Sequence, residues 1–521
     1  MAKKRIITTN APLMALGLDK NTADTLQNQL FKQISDIILS GRARPGTRLP
    51  SSRAMAEDLN VSRNTVTNVF DRLMSEGYTQ GRIGSATYVS HDLPQKLLGR
   101  HRGLRSITGG VPADNKAIQE HLSSQAMRVL QTALINNEGE GMQTLRPGHA
   151  DIERFPFTEW NRLLQKFWRH PPKQHLLFPD VGGYPPLRHE IAKYLTAERG
   201  LNCRPEQIIV TSGSQQALDM TARLLVNAKQ KVWLENPCYG GLKAAFQAVD
   251  AELVSVDVDE QGLVVSNGLE WAEDAVMAAV TPSHQYPSGV VMSLSRRLEI
   301  LDWAKTNNAW ILEDDYDSEF RYSGRPLSSL QGLDDHGRVI YTGTFSKIMF
   351  PAMRLGYLVV PENLRSSFLK FSSILYGHAP LAFQPTLAVF MENGHFAAHV
   401  RRMRVIYKQR QQWMIDAVER HLEHFLKVET DPAGMHLLAN LVYEKGLPQS
   451  VLDKDLSAAA AMDGLSVMAL SNMYDAQKTL ANGHGSVKQG LVLGYGGLSE
   501  DEIDKALKKL SLTWQHFIRT S

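Results

Sequence analysis

From about residue 141 onward, short apolar runs alternate with stretches of helical period, and no other feature of the sequence constrains the fold as much. The runs are Ile208–Val210, Lys231–Leu234, Leu253–Val256, Ala275–Val280, Trp310–Leu312, Val339–Tyr341 and Gly356–Val360, with helical stretches between most of them. Short apolar runs read as strands, and strands separated by helices are joined by crossovers into a wound, mostly parallel α/β sheet. Such sheets take ligands beyond the carboxyl ends of their strands. The residues just past each run are therefore where chemistry is expected.

A chain of 521 residues is too long for one hydrophobic core, so two or three domains are expected. No apolar stretch approaches a membrane span, and the basic start Met1-Ala2-Lys3-Lys4-Arg5 has no long apolar segment after it. Neither a membrane anchor nor a secretory signal is expected. Cys203 and Cys238 lie far apart and make no disulfide framework or metal-ligand spacing, so a reducing, cytoplasmic setting without metal is expected. The net charge of +3 hides an asymmetry: residues 1–90 carry twelve Lys and Arg against seven Asp and Glu, and the remainder 45 against 47. A basic head suits a polyanionic partner, although a solvated surface with a chance excess fits the charge equally well.

Within the head, Leu26, Leu30, Ile34, Ile37 and Ile38 recur at helical spacing, and Ser40-Gly41 with Arg44-Pro45-Gly46 ends that helix. Ser51 or Ser52 is placed to cap a second helix, Leu59-Asn60-Val61 makes a tight turn, and Ser62 caps a third helix from Arg63 to about Ser75. Two short strands around Tyr78-Thr79 and Thr87–Val89 flank Gly81-Arg82-Ile83-Gly84-Ser85, a glycine-rich wing. Ser62, Arg63, Asn64, Thr65 and Thr67 open the third helix, where backbone N–H groups face phosphate and side chains reach base edges in the major groove. Arg63 and Asn64 carry donors and acceptors for guanine or adenine edges, whereas Arg53 and Arg82 suit phosphates.

This stretch, residues 22–90, resembles the GntR family of repressors. The resemblance rests on Leu49-Pro50-Ser51-Ser52-Arg53, Val61-Ser62-Arg63-Asn64-Thr65-Val66, Leu73-Met74-Ser75-Glu76-Gly77-Tyr78 and Gly84-Ser85-Ala86-Thr87-Tyr88-Val89. The family places glycine where Ala86 stands. The resemblance implies a winged helix-turn-helix that binds double-stranded operator DNA. We assign it residues 20–90, followed by a linker over 91–140 with a helix near Ala117–Asn136, and a body over 141–521 whose smaller subdomain lies mainly after about 365.

Three positions in the body point to one ligand. After Ile208–Val210 comes Thr211-Ser212-Gly213-Ser214-Gln215-Gln216 opening a helix, the geometry of a phosphate cradle and equally of an ordinary helix cap. Leu312-Glu313-Asp314-Asp315-Tyr316-Asp317 clusters acids at a strand end, which suits a metal, a solvated edge, or a pyridoxal 5'-phosphate (PLP) ring. For the ring, Asp314 pairs the pyridinium nitrogen and Tyr316, on the same strand face, touches the phenolate; Asp315 competes with Asp314. Lys347, in Tyr341-Thr342-Gly343-Thr344-Phe345-Ser346-Lys347, follows a buried strand, where lost solvation lowers the amine's pKa and favours a Schiff base. Thr344 and Arg354 are placed to hold phosphate beside it.

The order of these elements resembles the fold-type I PLP enzymes, the aspartate aminotransferase superfamily, over about residues 141–510. Further matching strings are Glu235-Asn236-Pro237-Cys238-Tyr239 and Thr281-Pro282-Ser283-His284-Gln285-Tyr286-Pro287-Ser288-Gly289. The resemblance implies cofactor contacts from Ser212, Gly213, Ser214, Gln215, Asp314, Tyr316, Thr344, Lys347 and Arg354, and a ring stacked by Tyr239. Joined to a GntR-like head, the whole chain resembles the MocR subfamily of bacterial regulators.

That subfamily and superfamily hold an amino-acid carboxylate with arginine on a late strand or two residues past the stacking tyrosine. Here Val492 and Gly241 fill those places, unless the register slips by a few residues or another arginine substitutes. The expectation is therefore a regulator that binds DNA and senses PLP, a B6 vitamer or an amine effector, possible targets being genes of vitamin B6 metabolism. The alternative is a PLP-dependent aminotransferase with an appended head, and a third reading confines the head to assembly. Paired half-sites and fold-type I sites both imply a homodimer, with Tyr184 donated to the neighbouring site.

Overall fold

The computed structural model describes residues 16–19, 22, 24–81, 86–91, 122–132, 144–177, 179–322, 328–444, 447–475 and 487–520. They belong to two compact units, Met1–Asn115 and Lys116–Ser521.

The first unit is three helices and a hairpin. α1 spans Leu26–Leu39, α2 Ser52–Asp58 and α3 Arg63–Ser75. Each starts at a hydroxyl cap, which satisfies a backbone N–H that has no partner within the helix. Thr25 accepts from the Asn28 N–H, Ser51 from Ala54 and Ser62 from Thr65. Ser51, not Ser52, is therefore the cap of α2. Asn60, at φ +50°, turns the chain between α2 and α3. Leu30, Ile34 and Ile38 of α1 meet Val66, Val69 and Leu73 of α3 in one buried core. β1 (Thr79–Gly81) pairs antiparallel with β2 (Thr87–Val89), so the first wing strand lies one residue later than expected. The wing tip, with Arg82 and Gly84, lies outside the described residues.

The second unit begins, among the described residues, with α4 (Ser124–Gln131), inside the span read as linker. It packs on a helix of the body, with Arg128 paired to Asp250 and Thr132 bonded to Gln247. Eight strands then make one sheet: β3 (Ile208–Thr211), β4 (Lys231–Asn236), β5 (Glu252–Asp259), β6 (Gly262–Leu263), β7 (Met277–Val280), β8 (Trp310–Asp315), β9 (Val339–Thr344) and β10 (Gly356–Val359). Their spatial order is β3-β10-β9-β8-β7-β4-β5-β6. β4, β5, β7, β8 and β9 pair in parallel, β10 runs antiparallel to both β3 and β9, and β6 is antiparallel to β5. All seven expected strands are present. β3, β7 and β9 are buried along their whole length, as strands covered on both faces must be.

A second sheet of four antiparallel strands, β11 (Leu426–Val428), β12 (His436–Leu441), β13 (Met468–Ala469) and β14 (Gly490–Gly494), forms the smaller part in the order β11-β12-β14-β13. The long helix α5 (His395–Leu422) leads into it. The early segment around Leu145 joins it too, since the Gly494 N–H donates to the Leu145 carbonyl at 2.8 Å. Among the described residues no helix is long and apolar enough to cross a membrane.

Candidate functional site

At the start of α3 the cap fixes the geometry. Ser62 Oγ accepts from the Thr65 N–H at 3.1 Å and lies 2.8 Å from the Thr65 hydroxyl. Ser62, Arg63, Asn64 and Thr67 are exposed and Thr65 is half-buried. The Thr67 hydroxyl donates to the Arg63 carbonyl at 3.0 Å, so its proton is engaged within the helix. Arg53 stands exposed on α2, 3.3 Å from Glu57 Oε1. A pair so exposed is weak.

In the second unit, Ser214, Tyr239, Asp314, Tyr316, Thr344 and Lys347 line one pocket. They come from the ends of β3, β4, β8 and β9, the carboxyl-end placement that a wound sheet dictates. Gly213, at φ +93°, turns the chain from β3 into the helix at Ser214, and a Cβ there would stand 3.7 Å from the Arg354 guanidinium carbon. Ser212 and Gln215 are engaged locally: the Ser212 N–H donates to Gln216 Oε1 and the Gln215 amide donates to the Gly241 carbonyl.

Lys347 Nζ donates to the Gly148 carbonyl at 3.0 Å. Burial holds the lysine below its ordinary pKa; Asp317 opposes this and Arg146 adds to it. The two candidate acids separate clearly. Asp315 is gripped by Arg199 at 2.7 Å and by the Tyr341 hydroxyl at 2.6 Å. Asp314 lines the pocket, and its Oδ1 is buried with no hydrogen-bond partner. Burial, Asp315 and Glu235 push its pKa up to about 7.

Behind Tyr316 lies a cluster that sequence reasoning missed. The Tyr316 hydroxyl is 3.0 Å from His284 Nδ1, which is also 3.0 Å from both Asp317 oxygens, and His284 Nε2 is 3.0 Å from Asp431. Burial opposes the imidazolium, but Asp317 and Asp431 together hold its pKa well above the ordinary value. His284 stood in a quoted motif, yet its partners lie 33 and 147 residues away and no spacing announces them. Pro147, Gly148 and His436, which also line the pocket, were missed as well.

The two positions without arginine are closed. A Cβ on Gly241 would come within 2.3 Å of the Tyr239 ring and 2.5 Å of Gln215 Oε1. Val492 is fully buried in β14, opposite Leu438 and Met468.

Two family models match the chain. Residues 26–89 match the gntR family of bacterial regulatory proteins, and residues 151–473 match aminotransferase class I and II. The probable rhizopine catabolism regulatory protein MocR of Rhizobium meliloti is 37% identical over 95% of both chains. The chain belongs to the MocR group of GntR-type regulators. A second relative, the HTH-type pyridoxine biosynthesis transcriptional regulator PdxR of Corynebacterium glutamicum, is 30% identical over 96% of this chain and 98% of its own. Among solved structures, the kynurenine aminotransferase of Pyrococcus horikoshii, in complex with PMP, is 25% identical with a TM-score of 0.65, covering 77% of this chain and 98% of its own.

As a MocR-type regulator the chain is a DNA-binding transcription factor whose second unit has the fold-type I aminotransferase fold and binds PLP. The pocket's own chemistry fits that group. It offers a desolvated amine, an orphaned buried carboxylate oxygen, and glycines at 148 and 213 where a Cβ would fill space next to Lys347 and Arg354.

Proposed function

We propose that this chain is a homodimeric cytoplasmic regulator that holds PLP on Lys347 and changes its affinity for operator DNA with the state of that pocket. PLP supplies an aldehyde for amine condensation and an electron-withdrawing ring. Lys347 binds the aldehyde carbon. Asp314 holds the proton on the ring nitrogen, and Tyr316 donates to the phenolate oxygen. Tyr239 covers one ring face. Ser212, Gly213, Ser214, Gln215, Thr344 and Arg354 surround the phosphate. Ser62, Arg63, Asn64, Thr65 and Thr67 read the major groove, with Arg53, Arg82 and Gly84 on the backbone. Tyr184 completes the site of the partner.

The observation that carries the sensing role is the closure of both expected arginine positions, at Gly241 and Val492. An aminotransferase working on amino-acid pairs needs a firm carboxylate clamp. A pocket that keeps the lysine and acid without that clamp suits a sensor of PLP or another B6 vitamer. The 30% identity to a regulator named for pyridoxine biosynthesis supports vitamin B6 metabolism as the controlled process.

The test joins two measurements on full-length protein. The visible absorption band of the wild type should vanish in Lys347→Ala. A gel shift with the gene's own upstream region should respond to added PLP in the wild type and not in the variant. No shift in either condition, together with steady turnover of an amino-acid pair, would return the chain to the aminotransferases. Sedimentation at micromolar concentration should show a dimer.

A further inference from the structure

Asp317 and Asp431 bring one carboxylate from each of the two sheets to a single buried imidazole, and the cofactor contacts above use none of the three residues. His284 lies in the loop after β7 and Asp317 two residues beyond β8, whereas Asp431 stands between β11 and β12 of the small sheet. The joint is close. The Tyr322 N–H donates to the Pro432 carbonyl at 2.7 Å and the Gly434 N–H to the Phe320 carbonyl at 3.1 Å, so the segment after β8 runs along the segment before β12. Two glycines at positive φ leave the room: a Cβ on Gly434 would collide with His284 Cε1, and one on Gly289 with Asp431 Oδ2.

The hydrogens follow from what each ring nitrogen faces. Nε2 is 3.0 Å from Asp431 Oδ2, and Nδ1 is 3.0 Å from both oxygens of Asp317. Asp431 is fixed for this by its other oxygen, which accepts from the Ala433 N–H at 3.0 Å. A bare ring nitrogen would turn its lone pair on a carboxylate, so both nitrogens carry hydrogen and the ring is the cation. From β12, His436 packs with its ring centroid 5.5 Å away and stays neutral, since burial and the charge of His284 lower its pKa to about 3. The Tyr316 hydroxyl lies 3.0 Å from Nδ1 and has no other hydrogen-bond partner among the described residues. A nitrogen that holds a hydrogen offers no lone pair, so the phenol oxygen accepts from His284 and its own hydrogen is left for the pocket, which Tyr316 lines. The other titratable groups facing this phenol are Tyr286, edge-on with centroids 5.7 Å apart, and Asp314, which lines the same pocket.

We infer that His284 is a positioning residue for the cofactor site: clamped as a cation between Asp317 and Asp431, it turns the Tyr316 hydroxyl hydrogen toward the phenolate oxygen and strengthens that donor. This rests on PLP being held at Lys347 with Tyr316 at its phenolate. One jaw of the clamp belongs to the small sheet, so the donor has its full strength only while the small sheet is seated on the large one. A strong donor holds negative charge on the phenolate oxygen and thereby lowers the basicity of the Lys347 nitrogen conjugated with the same ring. That nitrogen then gives up its proton at a lower pH.

The readout is the Lys347-dependent visible band of full-length, PLP-loaded protein, followed across pH. Tyr316→Phe should raise the midpoint of its titration by about one pH unit or more. His284→Leu should raise it nearly as far, and His284→Gln, whose amide still donates but carries no charge, by less. Asp431→Asn, which no longer demands a hydrogen on Nε2, should move it the same way. In the Tyr316→Phe background His284→Gln should add almost nothing, because the histidine acts through the phenol. His284→Gln carries the test if His284→Leu, which leaves two carboxylates without their cation, does not fold. Where the wild-type midpoint lies outside about pH 5–10, the same cycle is read in PLP affinity, His284→Gln weakening binding about threefold or more with Tyr316 present and not in the Tyr316→Phe background. A value left at that of the wild type by His284→Gln or by Asp431→Asn, while Tyr316→Phe moves it, overturns the inference, as does a His284→Gln effect of equal size with and without the phenol. Indifference to Tyr316→Phe overturns the placement of that phenol, and a wild type without the band overturns the cofactor reading beneath both.

Discussion

Lys347 and Gly148, 199 residues apart in sequence, meet at 3.0 Å, the lysine ammonium donating to the glycine carbonyl. The contact is close enough that position 148 tolerates no side chain: an added Cβ would stand 2.4 Å from Lys347 Nζ. Gly148 also sits at φ +77°, where an alanine is strained by about 1 kcal/mol. Gly148→Ala should push the amine from its station and lower PLP affinity tenfold or more, read by titrating the visible band, while Trp514 and the rest of the small-subdomain core keep their packing. An unchanged titration would mean the segment is only a neighbour of the site.

Asp314 carries a pH signature. Its carboxyl is raised from the ordinary 3.8 to about 7, so between those values the folded chain binds more protons than the unfolded one. The contribution of this group to stability is therefore full below about pH 4 and is lost as pH rises through about 7. At about 1.4 kcal/mol per pKa unit the effect is a few kcal/mol at most. Cofactor-free Asp314→Asn should then melt above cofactor-free wild type at pH 8, and the gap should narrow as pH falls and close only below about pH 4. The same variant should bind PLP at least tenfold more weakly. A melting gap that ignores pH would remove Asp314 as the titrating group.

These two cases show what was legible in advance. Asp314 with Tyr316, and Lys347, follow two apolar runs that are plain in sequence, so the wound sheet and these two of its ligand-facing ends were readable. The choice between Asp314 and Asp315 was not, because it depends on Arg199 and Tyr341 reaching Asp315 from other elements. Gly148 and the partners of His284 were invisible for the same reason: Gly148 lies 199 residues from Lys347, and Asp431 147 residues from His284. In the first unit, caps and core were local, and α3 was readable to the residue.

The DNA contacts proposed for the first unit are of two kinds. Arg63 opens α3 on an exposed face, whereas Arg53 lies on α2 in a loose pair with Glu57. Arg63→Ala should cost about 1–3 kcal/mol of specific binding and relax the preference for one operator over unrelated DNA. Arg53→Ala should weaken both alike and reduce the salt slope by about 1. Fluorescence anisotropy against the upstream fragment and a scrambled duplex, across a salt series, separates these outcomes. Ser62→Ala should instead lower the unit's stability by about 1 kcal/mol through loss of the α3 cap.

Gly241 offers a test of why the expected arginine is missing. Placing arginine there adds a donor fork two residues past Tyr239, the position used by related regulators that hold an amino acid. In this chain the first added atom already collides, at 2.3 Å from Tyr239 Cε1 and 2.5 Å from Gln215 Oε1, and the Gln215 amide is committed to the Gly241 carbonyl at 2.8 Å. Tyr239 has little room to retreat, since it packs edge-on against Tyr286 with centroids 6.0 Å apart. Gly241→Arg should therefore displace Tyr239 and weaken PLP binding rather than create a carboxylate clamp, and Gly241→Ala should show most of the same loss. If Gly241→Arg instead kept its PLP affinity and gained affinity for L-serine, the pocket would be more pliable than these contacts allow, and the missing arginine would reflect the choice of ligand rather than the packing around Tyr239.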